Sequence, residues 1–177
     1  MLTVLLGGAR SGKSALAVRI GERHGGDVIY IATSPRIQGD DDLDDRIDAH
    51  RAERPATWRT IEEELDLAGA IAAADAGLVI VDCLTVWLGN LLHHGYDETA
   101  VTTACLAALD TARARSGDTV AITNEVGLGI IPANELARRY RDQLGRINQR
   151  WVAASDRSYL MVAGRALALT DPGTEWA

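Results

Sequence analysis

Lysine is almost missing from this chain. Of 18 basic residues, 17 are arginine and one, Lys13, is lysine. Arginine serves wherever a generic cation is enough, so position 13 has a use for a compact ammonium on a flexible stem. Cysteine is scarce too. Cys83 and Cys105 are the only two. They lack the spacing of a metal-ligand pair, and two thiols in a chain this size point to a reducing compartment. Proline is limited to 4 residues, and no Pro/Gly/Ser-rich linker, internal repeat or low-complexity tract is present. No apolar run reaches the length that spans a bilayer. No basic segment leads into an apolar signal core at the N-terminus, so a soluble cytoplasmic protein is the expectation. Positive charge is in deficit, with 18 basic against 25 acidic residues and a net charge of -7. That balance argues against a general nucleic-acid binder, which is normally basic.

What is present is an ordinary globular composition, 47% hydrophobic and 24% charged over 177 residues. The length suits one domain, on a prior of about 100–200 residues each. Short apolar runs alternate with amphipathic or Ala-rich stretches. Strands are expected at Leu2 to Leu6, Asp27 to Ala32, Leu78 to Val81, Thr119 to Thr123 and Tyr159 to Val162, with an edge strand at Ala166 to Leu169. Helices are expected at Ser14 to His24, Asp40 to Arg54, Leu84 to His93, Glu98 to Arg115 and Asn134 to Ala154. Thr60-x-x-Glu63 has the form of a capping box opening a further helix to about Ala74. Leu78 to Val81 is wholly aliphatic, as expected of a strand buried on both faces. Strands separated by helices imply an α/β fold, a mostly parallel sheet with helices on both faces. Ligands of such sheets bind beyond the carboxyl ends of the strands.

Residues 7–14 read GGARSGKS. They match G-x-x-x-x-G-K-S/T, after an expected strand and before an expected helix, which is the context a phosphate-binding P-loop requires. Gly7, Gly8, Ala9, Arg10, Ser11 and Gly12 would turn their N–H groups toward phosphates, and the helix dipole favours the anion. Lys13 would reach the β- and γ-phosphates, and the Ser14 hydroxyl would ligate magnesium. The partner motif is a hydrophobic strand ending in an acid. Leu78-Val79-Ile80-Val81-Asp82 fits it, which makes Asp82 a second candidate for the magnesium.

The segment RIDAHRAERPATWRTIE, residues 46–62, contains His50. Leu43, Ile47 and His50 have helical spacing, so His50 could extend an apolar stripe as a structural histidine. Its neighbours Asp48, Arg51, Glu53 and Arg54 make a polar setting instead, and Arg51 and Arg54 flank it like a phosphate clamp. Residue types alone leave nucleophile, general base and structural histidine all open.

Taken together, several blocks resemble one family. They are GGARSGKS, IATS after the second strand, RI-x-x-H-x-x-x-RP-x-x-W-x-T-x-E, TNEVG-x-GI-x-P and GR-x-NQR. Together they look like the bifunctional adenosylcobinamide kinase / adenosylcobinamide-phosphate guanylyltransferase of cobalamin biosynthesis. The matched blocks run from Leu2 to about Val162. The His50 block and Thr123 to Pro132 are far more specific than the P-loop, which many unrelated proteins share. The C-terminus departs from the family, since GRALALTDPGTEWA lacks a G-I/V-x-x-x-K ending.

The resemblance implies a RecA-like P-loop sheet and a homotrimer. It implies phosphorylation of the aminopropanol hydroxyl of adenosylcobinamide with ATP or GTP. GMP transfer from GTP to that phosphate would follow, through a GMP–histidine intermediate. The family's nucleophile matches His50. Its nucleotide contacts match Gly7 to Ser14, Ala32, Thr33, Ser34, Arg51, Ala52, Glu53, Arg54, Glu62 and Asp82.

The chemistry agrees with that assignment. A nucleophile for the α-phosphorus must stand outside the loop that wraps the β-phosphate, and a phosphoramidate conserves energy because protonated imidazole leaves readily. Glu125 is a candidate kinase base, or merely closes a turn before Gly127. The guanine-reading N-K-x-D sequence is absent, as it must be with one lysine. Two competing readings are another small-molecule P-loop kinase with a structural His50, and a non-catalytic nucleotide switch.

Overall fold

The computed structural model describes residues 1–35, 51, 54–74 and 77–174. Seven strands form one sheet. They are β1 (Leu2–Gly7), β2 (Val28–Ala32), β3 (Arg59–Glu62), β4 (Leu78–Asp82), β5 (Thr119–Ile122), β6 (Arg157–Val162) and β7 (Arg165–Ala168). Five helices are described: α1 (Lys13–His24), α2 (Leu67–Ala72), α3 (Leu84–His93), α4 (Glu98–Ala114) and α5 (Glu135–Ala154). The strand order is β3-β2-β4-β5-β1-β6-β7. Every neighbouring pair is parallel except β6 with β7.

The central strands are aliphatic because both faces are covered, and all six residues of β1 are buried. The two faces separate by residue parity, as pleating requires. Val79 and Val81 join Trp87, Leu88, Cys105 and Trp151 in a core with α2, α3, α4 and α5. Leu78 and Ile80 join Val28, Tyr30, Val120 and Ile122 in a smaller core with Ala17 of α1. Helices therefore cover both faces, as expected; the helix expected at Asp40 to Arg54 lies almost wholly outside the described residues.

Three helices open on side chains that satisfy a free backbone N–H, a device typical of Asp and Asn. Asp66 accepts from Gly69, Asp97 from Ala100 and Asn134 from Ala137. This corrects one expectation. Thr60-x-x-Glu63 is not a capping box: Arg59–Glu62 is a strand paired in parallel with β2. The Glu63 carboxylate accepts from the N–H groups of Leu65 and Asp66 at 2.8 and 2.9 Å and shapes the turn instead. The helix begins only at Leu67, behind the Asp66 cap.

The expected edge strand is β7. It returns from β6 through Ala163 and Gly164, with φ of 49° and 73°. Positive φ at both central residues is the geometry of a two-residue hairpin turn whose twist matches its strands.

Candidate active site

The carboxyl ends of β1, β4 and β5 share an edge with the N-terminus of α1. There a cleft of about 330 Å³ is lined by the loop from Ala9 through Ala15 and by Asp82, Cys83, Ile122 and Asn124. The loop is shaped by glycine where nothing else fits. Gly12 has φ 98°, and a Cβ there would lie 3.1 Å from the Gly164 Cα. The β6–β7 turn is therefore the floor of the loop, and Gly164 N–H donates to the Ser11 carbonyl at 2.9 Å. Gly12 is also the N-cap of α1, with no side-chain capping bond and no acidic residue in the first turn. The first-turn N–H groups and the positive end of the helix thus stay available to an anion.

Lys13 is buried beneath this loop. Its Nζ donates to the Gly7 carbonyl at 2.9 Å and the Gly8 carbonyl at 2.7 Å, and lies 3.4 Å from Ser11 Oγ. Burial lowers its pKa from the ordinary lysine value, while Cys83 and Asp82 act in the opposite sense. A phosphate entering the cleft would offer that ammonium a stronger partner than two carbonyls.

Asp82 is not on the strand beside the P-loop strand, since β5 lies between β4 and β1. Helix α1 closes the gap by packing across the sheet. Ser14 Oγ donates to Asp82 Oδ2 at 3.0 Å. The Tyr30 hydroxyl of β2 donates to the same oxygen. Burial, and then the Asp82 charge, push the Tyr30 hydroxyl well above its ordinary pKa, so it remains a donor. Burial, with Asp82 next, also raises the Cys83 thiol to about 11, which keeps it protonated and a poor nucleophile.

The remaining expected residues fall into three groups. Ala32 pairs with Asp82 in the sheet, so the IATS segment reaches the same edge. Thr33 is fully buried and its hydroxyl both donates to the Cys83 carbonyl and accepts from the Cys83 N–H, each at 2.8 Å. Its side chain fixes the β2 and β4 ends to each other. Ser34 follows it, half-buried. Glu62 ends β3 beside Ala32. Arg51 is exposed, and the Arg54 guanidinium carbon lies 4.0 Å above the Tyr30 ring centroid. His50, Ala52 and Glu53 lie outside the described residues.

The loop after β5 is held from both sides. Asn124 N–H donates to Thr85 Oγ1 at 2.7 Å, and Asn148 Nδ2 donates to the Asn124 carbonyl at 3.0 Å. This ties the TNEVG and NQR blocks together. Glu125 N–H donates to the Gly7 carbonyl, which sets the residue beside the loop, while its carboxylate accepts from Gly127 N–H at 2.6 Å. The carboxylate thus closes the turn. Sequence reasoning missed Tyr30, whose one visible signal is a polar-tipped residue within an aliphatic strand ending at the site.

A glycine-rich loop between a buried parallel strand and a helix, with a lysine beneath it and an acid across from it, defines a P-loop nucleotide-binding α/β protein. Solved structures agree on the fold. An ATPase from the type III secretion system of pathogenic bacteria superposes with a TM-score of 0.56 at 13% identity, covering 99% of this chain and 53% of that one. The RadB recombinase gives 0.51 at 16% identity, covering 90% and 73%. The sheet is thus RecA-like.

Sequence comparison is more specific. The family described as cobinamide kinase / cobinamide phosphate guanyltransferase matches residues 3–169, and the chain belongs to it. The bifunctional adenosylcobalamin biosynthesis protein CobP of Pseudomonas aeruginosa is 43% identical over 171 residues, 96% of this chain and 97% of the relative. CobU of Salmonella typhimurium is 37% identical over 179 residues, covering 93% and 97%. CobU of Escherichia coli is 37% identical over 182 residues, with the same coverage. The protein is an enzyme of cobalamin biosynthesis with cobinamide kinase and cobinamide-phosphate guanylyltransferase activity, and its substrates are cobinamide and nucleoside triphosphates. Among the described residues no helix is long and apolar enough to cross a membrane.

Proposed function

We propose that one P-loop cleft serves two displacements at different phosphorus atoms. In the first, the aminopropanol hydroxyl of adenosylcobinamide attacks the γ-phosphorus of ATP or GTP, the hydroxyl loses its proton, and ADP or GDP leaves. In the second, His50 attacks the α-phosphorus of GTP, pyrophosphate leaves, and the phosphate of adenosylcobinamide phosphate takes GMP from the histidine to give adenosylcobinamide-GDP. The observation that carries this reading is the convergence of Lys13, Ser14 and Asp82 on the uncapped N-terminus of α1. Lys13 would neutralise charge on the leaving side in either reaction, and the loop N–H groups would hold the phosphates in line. Ala32, Thr33, Ser34, Arg51, Ala52, Glu53, Arg54 and Glu62 would flank the nucleoside and its phosphates.

The oxygen donors suit magnesium. Ser14 Oγ donates its proton to Asp82 and keeps its lone pairs, and Asp82 Oδ1 has no protein donor among the described residues. These are hard oxygen ligands, the kind Mg²⁺ selects. Among the described residues no group of three or more His, Cys, Asp or Glu side chains could hold an ion alone. That matches a cation held by one or two protein oxygens together with substrate phosphates. Ser14 and Asp82 would hold it, and when bound it would neutralise phosphate charge.

A homotrimer working in the cytoplasm completes the proposal. Supporting an oligomer, Leu128, Ile130, Ile131 and Leu136 are all largely exposed and close in sequence, a surface that an assembly would cover. Supporting the compartment, Cys83 and Cys105 are both free thiols.

The test is incubation with α-labelled GTP followed by denaturing electrophoresis. The chain should carry an adduct that is acid-labile and base-stable, as a phosphoramidate is. An unlabelled chain, or an adduct of the opposite lability, would reduce His50 to a structural or basic role.

A further inference from the structure

We propose that Tyr30 is a positioning residue for the phosphoryl-transfer site, its hydroxyl setting the Asp82 carboxylate for the cation and its ring carrying the Arg54 guanidinium. The inference rests on reading Asp82 and Ser14 as the cation's protein oxygens and Arg54 as a nucleotide contact. Strands β2 and β4 are parallel neighbours in which Tyr30 pairs with Ile80 and Ala32 with Asp82. Tyr30 and Asp82 thus project from the same face, two residues apart along the strands, within reach of a long side chain. Tyr30 is buried among aliphatic residues facing α1. Among the described residues its hydroxyl has one hydrogen-bond partner, Asp82 Oδ2.

The geometry constrains the carboxylate. The terminal torsion of an aspartate is broad, so the group would otherwise turn. Here Ser14 and Tyr30 approach one oxygen from two different elements. Oδ2 is committed to them, and Oδ1 is left for the cation. Over the face of the same ring, the Arg54 guanidinium carbon stands 4.0 Å from the centroid, close enough for a cation–π contact. One side chain therefore sets the metal end of the cleft and the end of the arginine clamp.

The test uses the full-length protein with a non-hydrolysable GTP analogue. Mn²⁺ binding is followed by electron paramagnetic resonance in the wild type, Tyr30→Phe, Tyr30→Leu and Asp82→Asn. Tyr30→Phe keeps the ring and the core volume and removes only the hydroxyl. It should bind Mn²⁺ about tenfold more weakly, the low end of the loss seen when an outer partner of a metal ligand is removed. Its metal-free nucleotide affinity should equal that of the wild type. Tyr30→Leu should in addition lose metal-free nucleotide affinity, because the Arg54 stack is gone. Wild-type Mn²⁺ affinity in Tyr30→Phe, with a weakened Asp82→Asn, would overturn the role of the hydroxyl. Equal metal-free nucleotide affinity in the Leu and Phe variants, with a weakened Arg54→Ala, would overturn the role of the ring, whereas wild-type affinity in Arg54→Ala would remove the reading of Arg54 as a nucleotide contact. Wild-type Mn²⁺ affinity in Asp82→Asn would instead remove the metal reading on which the inference stands.

Discussion

At the scale of single residues, Lys13 explains an oddity of composition. An ammonium is a point charge with three donors on a flexible stem, while a guanidinium is a rigid planar fork. Buried Nζ meets two carbonyls and a hydroxyl in a tight loop, a place a fork cannot enter without displacing the backbone. Lys13→Ala should therefore lower both activities by at least about 10²-fold, the scale for removing one donor to developing charge. Lys13→Arg should not restore them. A near-wild-type kinase rate in either variant would contradict the P-loop assignment. Cys105 gives a pH-dependent prediction. Burial in α4 raises its thiol from the ordinary 9.0, against smaller opposing effects of Trp151 and Arg150. The folded state holds that proton to higher pH than the unfolded state. Its contribution to stability is therefore complete below pH 9 and is lost as pH rises through the higher folded value. Denaturant midpoints should fall as pH rises beyond about 9, and more steeply than in Cys105→Ala. Alkylation of Cys105, read by mass spectrometry at about pH 8, should be slow until the chain unfolds. Lys13, Ser14 and Asp82 are legible in the sequence because local spacing fixes each of them. Tyr30 is not, because its partner Asp82 lies 52 residues away and only strand register brings them together.

At the scale of elements, the strong periods are readable and the weak one is not. Aliphatic runs such as Leu78 to Val81 announce buried strands wherever they stand. Arg59–Glu62 has four residues, none of them buried, and takes its strand state only by pairing with β2. Its local pattern, Thr-x-x-Glu, favours a helix start, and tertiary pairing overrides it. The β6–β7 hairpin carries a consequence for the loop it supports. Gly164 has φ 73°, and a side chain there is strained by about 1 kcal/mol. Gly164→Ala should lower the melting temperature by roughly 2–4 °C, as expected for that cost in a chain of this size. It should also weaken nucleotide binding, because relief of that strain would shift the backbone N–H that anchors the Ser11 carbonyl. Gly12→Ala should weaken nucleotide binding more, since its Cβ would press on Gly164 as well. Unchanged nucleotide affinity in both variants would show that the hairpin does not hold the loop.

At the scale of the whole molecule, a seven-stranded sheet gathers the P-loop, the IATS segment, Asp82 and the TNEVG block at one edge. That convergence is readable in the order of strands and helices, since parallel connections put their following loops on one side. The surface that would bury Leu128, Ile130 and Ile131 is not, because partner contacts leave no periodic signal in a loop. If the proposed homotrimer uses this surface, Ile130→Ser with Leu128→Ser should shift the mass in light scattering toward the monomer, and a mass equal to that of a trimeric wild type would place the interface elsewhere. The central claim is that one nucleotide cleft serves two reactions and that His50 belongs to only one of them. The most direct measurement follows both reactions in His50→Ala, with γ-labelled nucleotide for the kinase and α-labelled GTP for guanylyl transfer. The expected result is retained phosphorylation of cobinamide with complete loss of the GMP adduct and of guanylyl transfer. An adduct surviving in His50→Ala, or a folded variant that has lost the kinase as well, would contradict it.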